Sequence, residues 1–148
     1  MSEIKLTATE IMQGALIGVM RQVQNLGKGR KHAHKASGND WQMHVEGALG
    51  EMALAKHLSI YYGGVGVLRG DDVGEYQVRT TAGANNRLIL HKDDPEDKWF
   101  WLLTGANGEY TVRGKILGLN GMKPEYWKDP TGEGRHAYFI PQSELEQE

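Results

Sequence analysis

Polar residues in the middle of the chain have the types and spacing to bind a metal ion. Asp72 comes shortly before a run in which Glu75, Gln77 and Arg79 alternate with apolar residues. In a strand over residues 75–81 these alternate side chains share one face, because successive side chains of a strand point to opposite sides. The glycine-containing turn before the strand can direct Asp72 toward the same place.

A second carboxylate, Glu51, lies on a predicted helix. His44 and Glu51 point in nearly the same direction at ~100° per residue, which makes His44 a candidate for substrate contact or proton transfer. A purely structural histidine is the alternative. Glu46 points ~140° away from Glu51, so we expect it to be solvated. Gly47 and Gly50 remove bulk beside Glu51 and favour a close approach of this helix to another backbone.

These residue types suit metal-assisted cleavage of a phosphodiester bond. Mg²⁺ prefers oxygen ligands and keeps several waters, so a few protein oxygens can hold it against a phosphate. In this hypothesis Glu51 and Asp72 supply carboxylates, and Gln77 gives a carbonyl oxygen to the metal or to its water. Arg79 positions the attacking water or the phosphate, but it stays protonated and cannot be a general base. The cofactor we expect is Mg²⁺ or Mn²⁺.

Each of these residues also has an ordinary structural explanation. Asp72 fits a turn beside glycine, and Glu51 fits a solvated helix surface. Gln77 and Arg79 fit an exposed strand face that makes cross-strand pairs. Their combined order along the chain, rather than any single residue, favours a site.

The N-terminal part of the chain predicts a helix over about residues 8–26. Thr7 and Glu10 form a capping box, in which each side chain bonds the backbone N–H of the other residue. Apolar residues then recur at helical spacing, and we expect them to pack. They are Ile11, Ala15, Val19, Val23 and Leu26.

A second predicted helix begins at a cap, Asn39 or Asp40, and ends near Leu58. After it the pattern changes to short β-favouring runs, with a turn at 93–97 and a short helix over 121–128. Helices followed by strands predict a mixed α+β protein, with a central mixed sheet flanked by helices. The predicted strands are 65–68, 76–81, 87–90, 99–104, 110–117 and 137–140.

The composition is typical of a soluble globular protein. The chain has 148 residues, enough for a single domain, with 39% apolar and 24% charged residues. The absence of cysteine excludes disulfides and thiolate metal sites, and no apolar run reaches membrane-spanning length. We expect a cytoplasmic protein with no membrane contact, in the host-cell cytoplasm if the gene is viral.

The net charge is only −2, so nucleic acid would have to bind at a local basic patch. A basic polar stretch follows the first predicted helix and could contact phosphates, since Lys and Arg provide most non-specific affinity. A solvated linker is the alternative. Together with a lysine of the second helix, the candidate contacts are Lys28, Arg30, Lys31, Lys35 and Lys56.

Residues 44–56 together with 72–81 resemble the PD-(D/E)XK nuclease superfamily. More narrowly, the chain is similar to small phage-encoded, restriction-endonuclease-like proteins. Segments 110–114 and 137–142 fit that group too, so the similarity spans roughly residues 41–142. The resemblance implies a single restriction-endonuclease-like domain over the whole chain, with the N-terminal helix as its least distinctive part.

The resemblance also assigns the site. In the superfamily an acidic residue on the first core helix, an Asp before the central strand, and an acidic-x-Lys pair on that strand act together. By position these are Glu51, Asp72, Gln77 and Arg79. Gln77 and Arg79 depart from the commonest pattern, and each departure removes a standard catalytic feature. A looser register would use Glu75 in place of Gln77.

Three functions follow as hypotheses. The first is a phage-encoded, Mg²⁺-dependent nuclease that hydrolyses DNA as an endo- or exonuclease. The second is the same fold without catalysis, binding nucleic acid or a protein partner. The third is a structural or assembly protein that forms a homo-oligomer, with the aromatic run 99–101 as the place to look for an interface.

Overall fold

A computed structural model of the protein describes residues 1–27, 39–64 and 71–147. Its two N-terminal helices pack on a four-stranded mixed sheet, and a three-stranded antiparallel sheet covers the other side. The elements described are β1 (Ser2–Lys5), α1 (Ala8–Gly27), α2 (Asp40–Leu58), β2 (Tyr76–Thr81), β3 (Leu88–Leu90), β4 (Trp99–Ala106), β5 (Glu109–Leu117), α3 (Gly118–Gly121), β6 (Trp127–Lys128) and β7 (Ala137–Ile140).

The mixed sheet places β2 at one edge. Its strand order is β1-β5-β4-β2, with β2 parallel to β4 and the other pairs antiparallel. The second sheet has the order β3-β7-β6. Among the described strands β2 pairs only with β4, so the backbone groups on its outer side are available to side chains.

Two hydrophobic cores lie on the two faces of the mixed sheet. On the first face, Val78 and Trp101 pack against α2, and we call this the helix face. On the second face, Phe100 and Leu102 pack against β3 and β7. Gln77 pairs in register with Phe100 and therefore lies on this second face, as Arg79 does beside Leu102.

The packing between α1 and α2 uses small residues. A Cβ added to Gly18 would lie 2.5 Å from the Cα of Val45, so glycine allows the two backbones to touch. The predicted burial of Val19, Val23 and Leu26 is wrong, because these side chains are 38, 55 and 59% exposed. The residues that α1 buries are Gly14, Gly18 and Gln22.

The second helix approaches β2 as closely as expected. A Cβ on Gly50 would lie 1.9 Å from the Thr80 hydroxyl oxygen, whereas Gly47 has no heavy atom within 4 Å of its Cβ position. Of the two predicted close approaches, the one at Gly50 is therefore present and the one at Gly47 is absent. Ala48 and Leu49 are buried as predicted.

The strand predictions agree with the structure at β2 and β7 and within a few residues at β3, β4 and β5. The predicted helix over 121–128 is wrong, because α3 ends at Gly121 and a 3-10 turn and β6 follow. The sequence reasoning missed β1 and β6, and the predicted strand at 65–68 lies outside the described residues.

None of the helices within the described ranges has the length and hydropathy needed to cross a membrane.

Candidate active site

Glu51 points inward from α2 and is 93% buried, with 7% of its surface exposed. Arg21 of α1 donates to both carboxylate oxygens, at 2.7 and 2.9 Å, in a bidentate pair. The Tyr62 hydroxyl donates a further hydrogen bond to Glu51, at 3.2 Å. The hydrogen bonds from Arg21 to Glu51 raise the pKa of Arg21. Burial, followed by the charge of Glu51, raises the pKa of Tyr62. Glu51 is thus a buried charge held by two partners.

Asp72 lies on the outer edge of β2. Its carboxylate accepts a 2.8 Å hydrogen bond from the backbone N–H of Val78, and its own N–H donates to the carbonyl of Tyr76 at 3.0 Å. The tight turn between them contains Gly74, whose φ of 57° favours glycine. The turn therefore folds Asp72 back along the edge strand, as the sequence predicts.

Glu51 and Asp72 line one cavity of about 220 Å³. Burial, followed by the nearby negative charge of Glu51, raises the pKa of Asp72 to about 6. The N–H of Val78 and the charges of Arg79 and Arg21 act in the opposite direction. Asp72 therefore lies near the charge of a carboxylate from another element, although Arg21 pairs with that carboxylate.

Arg79 reaches the same edge from the second face. Its guanidinium donates to the carbonyl of Val78 at 3.3 Å, and the N–H of that residue bonds Asp72. Arg79 also forms a 2.9 Å ion pair with Asp94 and lies 5.0 Å above the ring of Phe100. Asp72 and Arg79 are therefore neighbours on one edge, although Arg79 originates on the face opposite Glu51.

Gln77 takes part in a neighbouring cluster. Its amide donates to Asp71 at 3.0 Å, and Lys98 forms an ion pair with the other oxygen of Asp71 at 3.1 Å. Asp71 lines the same cavity as Glu51 and Asp72. Gln77 thus supports the wall of the cavity through Asp71, and this hydrogen bond uses its amide nitrogen rather than the oxygen proposed for metal binding.

The remaining candidates lie in other surroundings. Glu75 is exposed in the turn before β2, and the Nε2 of His44 pairs with Asn25 of α1 at 3.0 Å. Lys56 bonds the Glu10 carboxylate at 2.8 Å and the carbonyl of Lys5 at 2.9 Å. These contacts tie helices and β1 together. Four basic candidates, Lys28, Arg30, Lys31 and Lys35, lie outside the described residues.

The prediction that Glu46 is solvated is wrong. Its carboxylate accepts hydrogen bonds from the Asn107 N–H, at 3.0 Å, and from the Tyr110 hydroxyl. It therefore holds the turn between β4 and β5 against α2. Helix periodicity predicted the direction of Glu46 relative to Glu51. It could not predict the contact with the hairpin, because the two segments are more than 60 positions apart in sequence.

Arg21 is the main residue that sequence reasoning missed. It is 30 positions from Glu51 in sequence, and its side chain is only 16% exposed. One signal was present: besides Glu10, Arg21 is the only charged residue among positions 8–27, which are otherwise apolar or neutral. A lone cation in such a helix favours an internal partner.

A second cavity, of about 670 Å³, opens beside Arg79 of β2, and its lining includes Met43 of α2 as well as Phe139 of β7. We call it the arginine groove, since Arg79, Arg87 and Arg135 line it together with Phe139. Among the described residues, none of those lining it is acidic. A chain with a net charge of −2 thus has three arginines along one groove, and one of them, Arg79, is paired with Asp94.

The donor set at the cavity fits a divalent cation with a small number of protein ligands. In the described ranges, no group of three or more His, Cys, Asp or Glu side chains is arranged to hold a metal ion. Mg²⁺ is nevertheless held in many sites by one or two carboxylates plus water and substrate oxygens. Glu51 and Asp72 line the cavity, and both carboxylate oxygens of Glu51 already accept hydrogen bonds from Arg21.

No family model matches the chain, and comparison with curated proteins and with solved structures gives no significant similarity.

Proposed function

We propose that this protein is a Mg²⁺- or Mn²⁺-dependent nuclease that hydrolyses phosphodiester bonds of DNA. The observation that carries the proposal is the shared cavity of Glu51 and Asp72, in which burial and like charge raise the pKa of Asp72 to about 6. Arg21 already offsets the charge of Glu51, and a bound cation would offset that of Asp72. At neutral pH Asp72 is mostly ionised and so available as a ligand.

In this proposal Glu51 and Asp72 hold the cation. A bound divalent ion supplies positive charge at the phosphate and makes a water molecule more acidic. Asp72 is fixed by the N–H of Val78, which leaves its carboxylate oriented before any ligand arrives. In this proposal Arg79, which in the free protein pairs with Asp94, binds a phosphate oxygen of the scissile group.

The arginine groove is the proposed path of the DNA backbone. Arg87 and Arg135 extend the positive charge beyond Arg79, along the lining of the groove. Guanidinium groups bind phosphate oxygens in bidentate geometry, and this contact does not depend on base sequence. The basic stretch at 28–35 is a further proposed contact.

The fold we propose, more narrowly, is a restriction-endonuclease-like core. Its support is the order of a helix acid, an Asp before an edge strand, and a polar pair on that strand, which resembles PD-(D/E)XK nucleases. Gln77 and Arg79 stand where the commonest pattern has an acid and a lysine. Water activation therefore depends on the cation and its two carboxylates, since Arg79 stays protonated.

The test is cleavage of supercoiled and linear DNA by the wild type, with Mg²⁺, with Mn²⁺ and with a chelator. Asp72→Ala should lower the cleavage rate at least about 100-fold, because one of two metal ligands is lost. Asp129→Ala is the matched control, since Asp129 lies in the loop after β6 and does not line the cavity. Cleavage at the wild-type rate by Asp72→Ala would remove Asp72 from the mechanism.

A second candidate function is a nucleic-acid-binding module that has lost catalysis. The bidentate Arg21–Glu51 pair favours it, because a guanidinium already neutralises the helix carboxylate. This candidate predicts DNA binding through the arginine groove without cleavage and without divalent-ion binding. Calorimetric titration of Mn²⁺ into the wild type separates the two functions.

A further inference from the structure

The outer side of α1 carries an apolar stripe that no described element covers. We define the stripe by its exposed large side chains. Met12 and Leu16 are 68 and 67% exposed, and the other members are between 38 and 59% exposed. Scattered exposed apolar residues are ordinary, but a contiguous row along one helix marks an interaction surface. The members are Met12, Leu16, Val19, Met20, Val23 and Leu26.

The spacing of the stripe is that of a helix-pairing seam. Met12, Leu16, Val19, Val23 and Leu26 are separated by four, three, four and three residues. This alternation averages 3.5 residues, which keeps side chains in a line facing a second helix. The inner side of α1 packs against α2 through its glycines. Within the described structure, only the outer side is therefore available for such a partner.

Charge indicates which helix fits. The charged residues of α1 are Glu10, which bonds Lys56, and Arg21, which bonds Glu51. The described stripe therefore presents no charge that would select an oppositely charged partner or repel an identical one. A helix bound flat on a lipid surface is typically rich in Lys and Arg on its polar side, a pattern that α1 lacks.

We propose that the stripe is the contact between two copies of this chain, with the two α1 helices antiparallel. The stripe is nearly symmetric about Val19, so antiparallel pairing sets Met12 opposite Leu26 and Leu16 opposite Val23. A two-fold axis at Val19 makes the interface isologous, the commonest arrangement of soluble homodimers.

The sequence after α1 selects the antiparallel orientation. Residues 28–35 contain Lys28, Arg30, Lys31 and Lys35, and a parallel pair would bring the two basic stretches to the same end. An antiparallel pair separates their starting points by about 30 Å, the length of a 20-residue helix. That separation exceeds the Debye length of about 10 Å, so the repulsion is screened.

The first measurement is the molar mass of the wild type in solution by light scattering, from low to high micromolar concentration. The proposal predicts twice the 16.5 kDa of one chain. The double substitution Leu16→Glu and Val23→Glu should give a monomer with an unchanged circular dichroism spectrum. Leu119→Glu is the matched control, because Leu119 is 56% exposed on α3, away from the stripe, and should stay dimeric.

The second measurement distinguishes the orientation without relying on charged substitutions. The chain has no cysteine, so a single introduced thiol reports only its own neighbour. Val19→Cys should form a disulfide-linked dimer under mild oxidation, whereas Met12→Cys should not. Crosslinking of both variants would indicate a parallel pair and contradict the antiparallel arrangement.

Three results would overturn the proposal. They are a monomer at every concentration, a dimer that survives the double substitution, and a monomer that binds anionic phosphatidylserine vesicles through the stripe. The proposal does not depend on the proposed nuclease activity. A monomeric protein that cleaves DNA and a dimer that does not are therefore distinguishable outcomes.

Discussion

The two faces that meet at the edge of β2 carry opposite local charge. On the helix face, Glu51 and Asp72 lie in a small cavity, with Arg21 as the nearest bonded cation. On the second face, Arg79 and Arg87 line a groove three times larger, about 670 against 220 Å³. The backbone of one edge strand separates them, because alternate residues of β2 point to alternate sides.

This contrast indicates that burial determines whether a charged residue mainly affects stability or mainly affects DNA binding. Charges on the helix face are shielded from water, so changes there should alter the free energy of unfolding and cation binding. Charges in the arginine groove are closer to solvent and screened by salt, so changes there should alter mainly DNA binding. Substitutions on the two faces test this difference, and their expected effect on the free energy of unfolding decreases from Arg21 through Asp72 to Arg79.

Arg21→Met should have the largest effect, lowering the free energy of unfolding by about 3 to 5 kcal/mol. The substitution leaves the Glu51 carboxylate buried without its bidentate partner. The double variant Arg21→Met, Glu51→Met should recover most of the loss, because both charges are removed. Urea unfolding of the wild type, both single variants and the double variant measures this coupling. Additive losses would show that the pair is not coupled.

Asp72→Asn should stabilise the protein by about 1 to 3 kcal/mol at pH 7. The folded pKa of Asp72 is about 6, above the unfolded value of about 3.9, so the folded state binds more protons in this window. Wild-type stability therefore falls as the pH rises from about 4 to 6, and the neutral amide avoids this loss.

The measurement for Asp72→Asn is urea unfolding at several pH values between 4 and 8. The difference from wild type should vanish near pH 4 and reach its full size above pH 6. Asn keeps an oxygen that can accept the N–H of Val78, so the turn itself should persist. A constant difference across this range would mean that Asp72 titrates normally.

Arg79→Met should cost about 1 kcal/mol of stability, less than the change at Arg21. Its ion pair with Asp94 and its contact with Phe100 are partly exposed, with 27% of the arginine side chain accessible. The same variant should lower DNA affinity. Thermal unfolding and fluorescence anisotropy with labelled DNA measure the two effects, and a stability loss equal to that of Arg21→Met would contradict the contrast between faces.

Arg87→Ala and Arg135→Ala should change stability least, within about 0.5 kcal/mol of wild type. Each should reduce the slope of log affinity against log salt concentration by about 1, because one phosphate contact is lost. Lys123→Ala, in the loop after α3, is the control and should leave the slope unchanged. An unchanged salt slope in both arginine variants would place the DNA elsewhere.

Local patterns predicted much of the fold. Alternation in β2 correctly assigned Tyr76 and Val78 to the core and Gln77 and Arg79 to the other face. The capping box of α1 is present, with Thr7 and Glu10 bonding each other's backbone N–H. Such patterns succeed because they depend on residues a few positions apart.

Contacts between distant segments could not be predicted in this way. The apolar periodicity of α1 indicated a buried face, but Gly14 and Gly18 allow a closer approach of α2 and turn the apolar residues outward. The same packing brings Arg21 to Glu51, 30 positions away. Neither the helix contact nor the ion pair is encoded at short range.

The most direct test of the central claim is calorimetric titration of Mn²⁺ into the wild type, Glu51→Gln, Asp72→Asn and the control Asp129→Asn at pH 7.5. The account predicts one ion per chain in the wild type and control, and an affinity at least about tenfold weaker in each of the other two variants. Equal Mn²⁺ binding by all four proteins would contradict a cation site formed by Glu51 and Asp72.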